Sequence, residues 1–368
     1  MKCAKRVIYA LIPAIVMFGG LEVVVRLLDL ANPTLIVAPL PTELRGFSEP
    51  DQHLFWRMRP GAVVRELDGT TVMVNTDGFR GNELAPKTDN EYRILSLGES
   101  TTFGAGVEQE ETYSYLLQQN LNLLDSTANF NVLNCGFSAY SSFQMLKYLE
   151  LKGLQFEPDM VIVYSEVNDY LPSTLRNFGH DETTLTISDQ QLYESASRSW
   201  SSYVIDHWML AKFIMYRYAA HRTRKLSSKV LPNPLNGIGL NDSIPNRVAV
   251  RNDGQPISAG LREMNLGRRV NSEERENNLK ALKSICDEND IELIVIHPSY
   301  RNSKEHECLL TETCNAEGIT VFEAFSSLHS KEIAPDAMFL DSWHPSSLGH
   351  SRLARDLSIF IAQSQLAR

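Results

Sequence analysis

Three side chains in this sequence are of the types that acyl transfer requires, although they lie far apart along the chain. Ser100 follows Gly98-Glu99, whereas Asp341 and His344 lie together near the end. A serine hydroxyl attacks a carbonyl group when an imidazole accepts its proton and a carboxylate orients that imidazole. Because Asp341 and His344 are three residues apart, one tight turn can bring the carboxylate to the imidazole Nδ1. The alternative is a surface turn with a solvated histidine.

The residues around Ser100 predict a strand followed by a helix. Residues 92–97 alternate and then become apolar, which suits a strand, and residues 109–124 have a helical pattern. A serine at the carboxyl end of a strand lies at the open edge of the sheet, where α/β proteins place ligands. The adjoining backbone N–H groups can then face a developing anion. The alternative is that Gly98-Glu99-Ser100 is an ordinary strand-to-helix turn, since short motifs match by chance.

Two further residues are candidates to stabilise such an anion. Gly136 follows the predicted strand 130–133, and a glycine there lets a backbone N–H approach a ligand closely. Asn168 follows the predicted strand 160–164, and its side-chain amide can donate to an oxyanion. The carboxyl ends of strands in a doubly wound sheet converge on one crevice. We therefore expect Ser100, Gly136 and Asn168 to meet there.

The elements that must position these residues alternate between strand and helix. The predicted strands are residues 92–97, 130–133, 160–164, 292–296 and 319–322. The predicted helices are residues 109–124, 142–151, 272–289, 303–316 and 346–363. Strands such as 160–164, which are apolar on both faces, fit a buried parallel sheet. Residues 171–270 interrupt the alternation and form an insertion.

One helix is predicted inside this insertion, from about Ser197 to Arg224, and it ends in a basic cluster. Its apolar residues could place it on a membrane surface. Packing against a core is the favoured interpretation, because apolar helix faces usually pack in this way and a basic carboxyl-terminal end suits the helix dipole. The insertion contains no motif that identifies a substrate.

The first thirty residues have the pattern of a membrane anchor. Lys2, Lys5 and Arg6 precede an apolar run from Val7 to Val25 that only Glu22 interrupts. A spanning helix needs about 20 mostly apolar residues. A cleaved signal peptide is the alternative, but no small-x-small cleavage site follows the run, so an uncleaved anchor is favoured. The basic residues would lie in the cytoplasm, and the rest of the chain would be extracytoplasmic.

Residues 31–90 are predicted to form a linker and a small β-rich preface to the main domain. Val63–Leu67 and Thr70–Asn75 flank Asp68-Gly69, a pair that is typical of two-residue hairpin turns. Asp77-Gly78 predicts a second turn. The main domain would then occupy residues 91–368.

Composition excludes some classes of function. A net charge of −10 argues against non-specific nucleic-acid binding, which needs a basic surface. The five cysteines lack zinc-finger spacing, and the histidines share no ligand spacing, so neither metal nor cofactor is expected. Cys308 and Cys314 could form a disulfide if the domain lies outside the cytosol, and two unpaired thiols are the alternative.

Taken together, four segments resemble the SGNH, or GDSL-type, esterase and lipase superfamily, in which Ser, Gly, Asn and His occur in this chain order. The matching segments are residues 97–104, 134–136, 168–169 and 341–345 with 349–350. Residues 75–81 also resemble membrane-anchored bacterial members. The resemblance implies an α/β, three-layer, flavodoxin-like fold with a mostly parallel five-stranded sheet.

The resemblance also implies a role for each matched residue. Ser100 would be the nucleophile, His344 the general base and then acid, and Asp341 the residue that orients His344. The oxyanion would be held by the N–H groups of Ser100 and Gly136 and by the side chain of Asn168. The substrate would be an ester, such as an O-acyl group on a cell-envelope carbohydrate or lipid.

Two positions depart from the superfamily pattern. Glu99 stands where aspartate is usual, and Glu166 stands where glycine is usual. A carboxylate near the oxyanion site would oppose developing negative charge unless it points away or is paired. Three functions therefore remain open from the sequence: a carboxylester hydrolase, an O-acyltransferase for a surface glycan with the same triad, and a catalytically silent carbohydrate-binding protein.

Overall fold

A computed structural model of the protein describes residues 2–27, 34–37, 46–51, 53–66, 68–171, 173–176, 182–184, 188–197, 208, 210–211, 213–214, 268–303, 309–329 and 332–366. The chain divides into two compact units. One comprises residues 1–38 and 172–233, and the other comprises residues 39–171 and 234–368. All of the predicted site residues lie in the second unit.

The described strands are β1 Thr34–Val37, β2 Ser48–Asp51, β3 Phe55–Met58, β4 Val63–Arg65, β5 Thr71–Met73, β6 Glu91–Gly98, β7 Asn129–Gly136, β8 Met160–Tyr164, β9 Ser173–Arg176, β10 Glu182–Thr184, β11 Glu292–His297 and β12 Thr320–Glu323. The described helices are α1 Lys2–Leu27, α2 Ser100–Phe103, α3 Tyr113–Leu124, α4 Ser142–Leu151, α5 Val167–Tyr170, α6 Asp189–Ser197, α7 Ser272–Glu288, α8 Leu309–Ala316, α9 Phe325–Leu328, α10 Pro335–Met338 and α11 Ser347–Leu366. Single 3₁₀ turns cover Gln109–Glu111 and Gly153–Phe156.

The second unit is built on a five-stranded sheet with the order β12-β11-β8-β6-β7. Every neighbouring pair in it is parallel. Counted along the chain, this is the order 2-1-3-4-5 of flavodoxin-like sheets. The predicted mostly parallel five-stranded sheet is therefore confirmed. The order reverses direction at β6, the strand that leads to Ser100.

Helices cover both faces of this sheet, which explains why the central strand is apolar throughout. All five residues of β8 are buried. On one face, α3 and α11 contribute to a single buried core through Leu117, Leu121, Leu353 and Leu357. Fully burying a leucine stabilises the fold by about 1.5–3 kcal/mol. Such a core holds the strands rigidly, so that the polar side chains at their carboxyl ends keep fixed positions.

Several element boundaries differ from the sequence prediction for local reasons. The predicted helix 109–124 is divided, because the Thr112 hydroxyl caps α3 by accepting the N–H of Tyr115 at 3.3 Å. Strand β7 extends beyond 130–133 in both directions, because it pairs with β6 as far as Gly98 and Gly136. Hydrogen bonding to β6 thus makes β7 longer than the apolar run from which it was predicted.

The β-rich preface forms two hairpins and two tight turns. Strands β4 and β5 pair antiparallel around Asp68-Gly69, as predicted. They are shorter than predicted, because the Asp68 carboxylate accepts the Thr70 N–H at 2.8 Å and turns the chain there. The second predicted turn is also present, with Gly78 at φ +86°. Strands β2 and β3 form the other hairpin.

Arg80 joins the preface to the sheet. Its guanidinium is buried and donates to the carbonyls of Phe103 at 2.8 Å, Gly104 at 2.7 Å and Val107 at 2.7 Å. Its backbone N–H donates at 3.2 Å to the carbonyl of Asn134 in the outer strand β7. The preface therefore holds the segment that follows Ser100 and covers part of a sheet edge.

The first unit brings the amino-terminal segment together with the insertion. Strand β9 pairs antiparallel with both β1 and β10 in a three-stranded sheet that the sequence did not predict. The Glu22 carboxylate accepts the Leu210 N–H at 2.7 Å, and Val25 packs on Leu210. Most of the helix predicted from 197 to 224 lies outside the described residues.

Residues 2–27 form a helix, α1. Within the part of the chain that the structure describes, no helix is long and apolar enough to cross a membrane. The prediction that residues 1–30 form a membrane anchor is therefore not confirmed.

The cysteines in the described part of the second unit are reduced. Cys135, Cys286 and Cys314 are buried free thiols. Burial raises the pKa of Cys314 to about 11, which keeps it protonated. Cys308 lies outside the described residues. Cys314 is a free thiol, so the predicted alternative of a Cys308–Cys314 disulfide is not confirmed.

Candidate active site

Ser100 lies at a tight connection, where β6 passes into α2 with only Glu99 between them. Gly98 makes this connection possible, because a Cβ there would collide with Thr102 and come within 3.0 Å of the Tyr164 carbonyl. Ser100 is the first residue of α2. Its hydroxyl therefore leaves the carboxyl end of a central strand, as the sequence pattern predicted.

The structure brings Ser100, His344 and Asp341 together in one chain of hydrogen bonds. The Nε2 atom of His344 lies 2.8 Å from the Ser100 Oγ. The Nδ1 atom of the same ring lies 2.7 Å from the Asp341 Oδ2. Both distances are those of short, direct hydrogen bonds. The imidazole thus bridges a hydroxyl and a carboxylate that are distant in the sequence.

The loop that carries Asp341 and His344 is shaped by its own aspartate. The Asp341 Oδ1 accepts the backbone N–H groups of Trp343 at 2.7 Å and His344 at 2.8 Å. The His344 carbonyl accepts the Leu340 N–H at 2.8 Å, which closes the turn. One oxygen of the carboxylate therefore folds the loop, and the other oxygen orients the ring.

These bonds also decide the charge on Asp341. Burial disfavours its charged form, but the hydrogen bond and charge of His344 and the two backbone donors outweigh burial, so the pKa of Asp341 is lowered. Asp341 is then ionised at neutral pH and accepts a proton-bearing Nδ1. With the proton on Nδ1, the ring presents a bare Nε2 to the Ser100 hydroxyl, which is the arrangement for a general base.

Gly136 lies at the end of β7, directly opposite Gly98. Its N–H donates to the Asn134 side chain at 3.2 Å. A Cβ at Gly136 would lie 2.5 Å from the Phe103 backbone nitrogen. Close packing against α2 thus accounts for glycine at this position, and the predicted oxyanion role would require its N–H to leave Asn134.

The loop after β7 contains donors that the sequence analysis missed. Ala139 has φ +65°, a left-handed conformation that a residue other than glycine seldom adopts. Within the described residues, the backbone N–H groups of Ser138 and Ala139 donate to no protein atom. They follow the same sheet edge as Ser100 and are therefore further candidates to bind an oxyanion. Alanine carries no sequence signal for such a conformation.

Asn168 lies in the short helix α5 and is buried. Its Nδ2 donates to the Glu99 Oε2 at 2.9 Å and to the Tyr140 carbonyl at 3.2 Å. Both amide hydrogens are therefore engaged within the protein. An oxyanion would have to replace one of these acceptors, and the longer bond to Tyr140 is the weaker of the two.

Glu99 lies beside Ser100 and is almost fully buried, with 1% of its surface exposed. In addition to Asn168, it accepts the Tyr300 hydroxyl at 3.1 Å. Burial, together with the negative charges of Asp169 and Glu166, raises the pKa of Glu99 from 4.5 to about 8. The carboxyl group next to the candidate nucleophile is thus largely neutral at pH 7.

Tyr300 connects the loops of the site, and the sequence analysis did not single it out. Its hydroxyl accepts the Val167 N–H at 3.1 Å as well as donating to Glu99. Its ring packs edge-to-face on Trp343, with centroids 5.4 Å apart. It follows β11, so its place at the carboxyl end of a predicted strand was the signal that could have identified it.

Asp169, the residue after Asn168, forms a buried ion pair. The Arg275 Nε lies 2.9 Å from the Asp169 Oδ2, and both side chains are almost fully buried. The N–H groups of Arg269 and Val270 donate to the carbonyls of Leu171 and Asp169. The chain therefore returns from the insertion to the place where it left, close to Asn168.

The other histidines near the sheet have structural partners. His350 is buried and accepts the Tyr113 N–H at 3.1 Å, and burial lowers its pKa to about 3, so it is neutral. His297 pairs with Glu323. Among the described residues, no group of three or more His, Cys, Asp or Glu side chains could hold a metal ion.

No family model matches this chain. No curated protein matches it either. Among solved structures, it is similar to a protein assigned to the G-D-S-L lipolytic family from Desulfitobacterium hafniense, with 12% identity, a TM-score of 0.39, and coverage of 73% of this chain and 98% of the other.

An acetyl xylan esterase from Geobacillus stearothermophilus is similar at 13% identity and a TM-score of 0.41, with coverage of 72% and 92%. A two-domain esterase active on acetylated mannans is similar at 13% identity and a TM-score of 0.41, with coverage of 74% of this chain and 49% of the other. Likenesses of this degree carry no conclusion about activity, so the site must be interpreted from its own geometry.

Proposed function

We propose that this protein is a serine esterase of the SGNH type that hydrolyses carboxylic esters through an acyl-enzyme on Ser100. One observation carries the proposal. The His344 ring lies within 2.8 Å of the Ser100 hydroxyl and within 2.7 Å of the Asp341 carboxylate. A solvated surface histidine would need neither partner, and a binding protein would gain nothing from a hydroxyl held against a bare imidazole nitrogen.

Acylation would begin when the Ser100 oxygen attacks the ester carbonyl carbon while its proton passes to the Nε2 of His344. Asp341 stabilises the imidazolium that forms and keeps the ring in place. The tetrahedral intermediate then collapses, the C–O bond to the alcohol breaks, and His344 gives its proton to the departing alcohol. The products of this half-reaction are a free alcohol and an acylated Ser100.

Deacylation would reverse these roles with water. His344 takes a proton from water as the water oxygen attacks the acyl carbon, and it then returns that proton to the Ser100 oxygen. A carboxylic acid leaves. In both halves the negative charge on the carbonyl oxygen needs donors, for which the candidates are the Ser100 N–H, the Asn168 amide and the N–H groups after β7.

The test is hydrolysis of short-chain esters and of acylated glycans by the full chain and by Ser100→Ala. We expect hydrolysis by the wild type and its loss in Ser100→Ala, together with labelling of wild-type Ser100 by a fluorophosphonate. A folded Ser100→Ala variant with near-wild-type activity would contradict the proposal. Transfer to an added glycan that greatly exceeds hydrolysis would favour an O-acyltransferase instead.

The substrate class and the cellular location of the protein are also part of this proposal. An O-acyl group on an envelope carbohydrate or lipid is the substrate class that we propose, and the same panel of esters tests it. The extracytoplasmic location depends only on the sequence pattern of residues 1–30. Cell fractionation of the full chain tests that location.

A further inference from the structure

Glu99 links the candidate nucleophile to Asn168. It precedes Ser100 in the chain, and its Oε2 accepts an Asn168 amide hydrogen at 2.9 Å. Its Oε1 accepts the Tyr300 hydroxyl at 3.1 Å. Both carboxyl oxygens are thus held, and one of them holds the amide that the proposed reaction needs at the oxyanion.

The groups that face Glu99 from the neighbouring elements are mostly acidic or neutral. Asp169 and Glu166, at either end of the segment that carries Asn168, both act on it electrostatically with their negative charges. The phenols of Tyr164 on β8 and Tyr113 on α3 are near enough to interact with it. Asp169 and Glu166 thus disfavour a negative charge on Glu99, and the two phenols, whose own pKa values are raised, remain neutral.

The buried cation that pairs with Asp169 does not compensate for this. Arg275 makes its ion pair with Asp169 and also donates to the Tyr170 hydroxyl at 2.7 Å. Among the described residues, no lysine or arginine pairs with Glu99. An ionised Glu99 would therefore be a buried, unpaired charge, which is a costly state in a protein interior.

We propose that Glu99 is a positioning residue for Asn168 that must be neutral for turnover, so that its ionisation sets the alkaline limit of the esterase. This depends on the function proposed above. A neutral Glu99 still accepts the Asn168 amide hydrogen through Oε2. A charged Glu99 would bind the Asn168 amide more strongly and would oppose the negative charge that develops on the substrate carbonyl oxygen.

The pKa of about 8 that burial gives Glu99 places this limit within reach of an ordinary assay. A serine triad alone predicts activity that rises as His344 loses its proton and then stays level. A second ionisation that must remain protonated adds a falling limb. One such group lowers kcat/KM by at most about tenfold per pH unit above its pKa.

The experiment compares pH profiles of kcat/KM for the wild type, Glu99→Gln and Glu91→Gln. Glu91 is the matched control, because it is a partly buried glutamate at the opposite end of the same strand, paired with Arg93. We expect the wild type and Glu91→Gln to lose activity above pH 8. Glu99→Gln, which cannot ionise, should keep its rate from pH 7 to pH 9 within about twofold.

A second variant separates this role from a merely structural one. The Tyr300 hydrogen bond favours the charged form of Glu99 and so lowers its pKa. Tyr300→Phe should therefore move the falling limb to higher pH, whereas general damage to the fold would lower activity at all pH values. A falling limb that persists unchanged in Glu99→Gln, or its absence from the wild type, would overturn the proposal.

An infrared titration distinguishes failure of this proposal from failure of the proposed function. The carbonyl stretch of a protonated carboxyl group should be present at pH 7, disappear as the pH rises past about 8, and be missing from Glu99→Gln. If no ester is hydrolysed and Ser100 is not labelled, the proposed function fails. If the Glu99 band is absent at pH 7, the positioning proposal fails whatever the activity.

Discussion

The two sides of the candidate site each contain a carboxyl group, and the two groups lie in contrasting surroundings. The histidine side, Asp341 and His344, is a partly exposed loop in which the carboxylate accepts several donors. The amide side, Glu99, Asn168 and Tyr300, is buried among other acids. Donors keep the pKa of Asp341 low, whereas burial raises that of Glu99.

Hydrogen bonds and neighbouring charges therefore decide whether a carboxyl group in this site is charged or neutral, and so which role it can take. A charged acid next to an imidazole orients that ring and stabilises its protonated form. A neutral acid next to an oxyanion donor does not repel the negative charge that develops on the substrate. Because the pKa of Asp341 is low and that of Glu99 is high, the site can hold a charged Asp341 together with the negative charge that develops on the substrate carbonyl oxygen.

The largest effect should come from removing the charge on the histidine side. Asp341→Asn keeps the shape of the loop but favours the wrong ring tautomer, so we expect kcat to fall by about 10⁴-fold. Steady-state ester hydrolysis measures this, and circular dichroism checks the fold. Asp336→Asn is a suitable control, because Asp336 is an exposed aspartate that pairs with Arg301 and not with His344. A loss below tenfold would remove Asp341 from the proposed triad.

A smaller loss should come from the amide side. Asn168→Ala deletes one candidate oxyanion donor, and we expect kcat to fall by about 10²–10³-fold with little change in KM. Asn122→Ala, on the far end of α3, serves as the control, because Asn122 bonds only to nearby backbone and lies outside the site. A change confined to KM would show that Asn168 binds substrate and does not stabilise the transition state.

The two acids should also give stability opposite dependences on pH. Because the pKa of Glu99 is raised from 4.5 to about 8, the folded state binds more protons, and stability falls as pH rises across that window. Because the pKa of Asp341 is lowered, its contribution is present above its ordinary pKa and is lost on acidification.

Urea unfolding midpoints measured between pH 5 and pH 9 test this contrast. Glu99→Gln should abolish most of the decline that the wild type shows between pH 5 and pH 8. Asp341→Asn should leave that decline unchanged. A wild-type midpoint that does not fall, or that falls equally in Glu99→Gln, would show that Glu99 ionises normally in the folded protein.

The smallest effect should be the coupling between the two sides. Tyr300 and Trp343 pack edge-to-face, and such aromatic pairs contribute about 0.5–1.5 kcal/mol beyond the area that they bury. A double-mutant cycle with Tyr300→Leu and Trp343→Leu should give a coupling free energy in that range. Additive losses in the free energy of unfolding would mean that the histidine side and the amide side are held independently.

The sequence predicted the sheet well, because its strands are apolar on both faces and return at regular intervals. It also predicted that the three strand-end segments with Ser100, Gly136 and Asn168 would meet, since parallel strands end at one edge. The proximity of His344 to Asp341 followed from their spacing. These conclusions depend on local pattern and on topology, which a single sequence displays directly.

The remaining features depend on contacts that no local pattern displays. The bond between Glu99 and Tyr300 joins residues 201 positions apart. The left-handed Ala139 has no sequence signal, and the pairing of β1 with β9 joins a linker to the insertion. The engagement of the Gly136 N–H by Asn134 depends on a rotamer. Side-chain partners of this kind are settled only when the chain is folded.

The three hydrogen bonds from the Arg80 guanidinium to backbone carbonyls limit how far the second unit can be shortened. Residue 91, where the main strand begins, is a tempting start for a shortened protein. Such a truncation would strip the guanidinium from the backbone just after Ser100 and uncover the neighbourhood of β7, whose bare edge would invite association with other chains. The smallest autonomous form of the second unit should therefore begin before β2, and both hairpins ahead of the sheet should be kept in it.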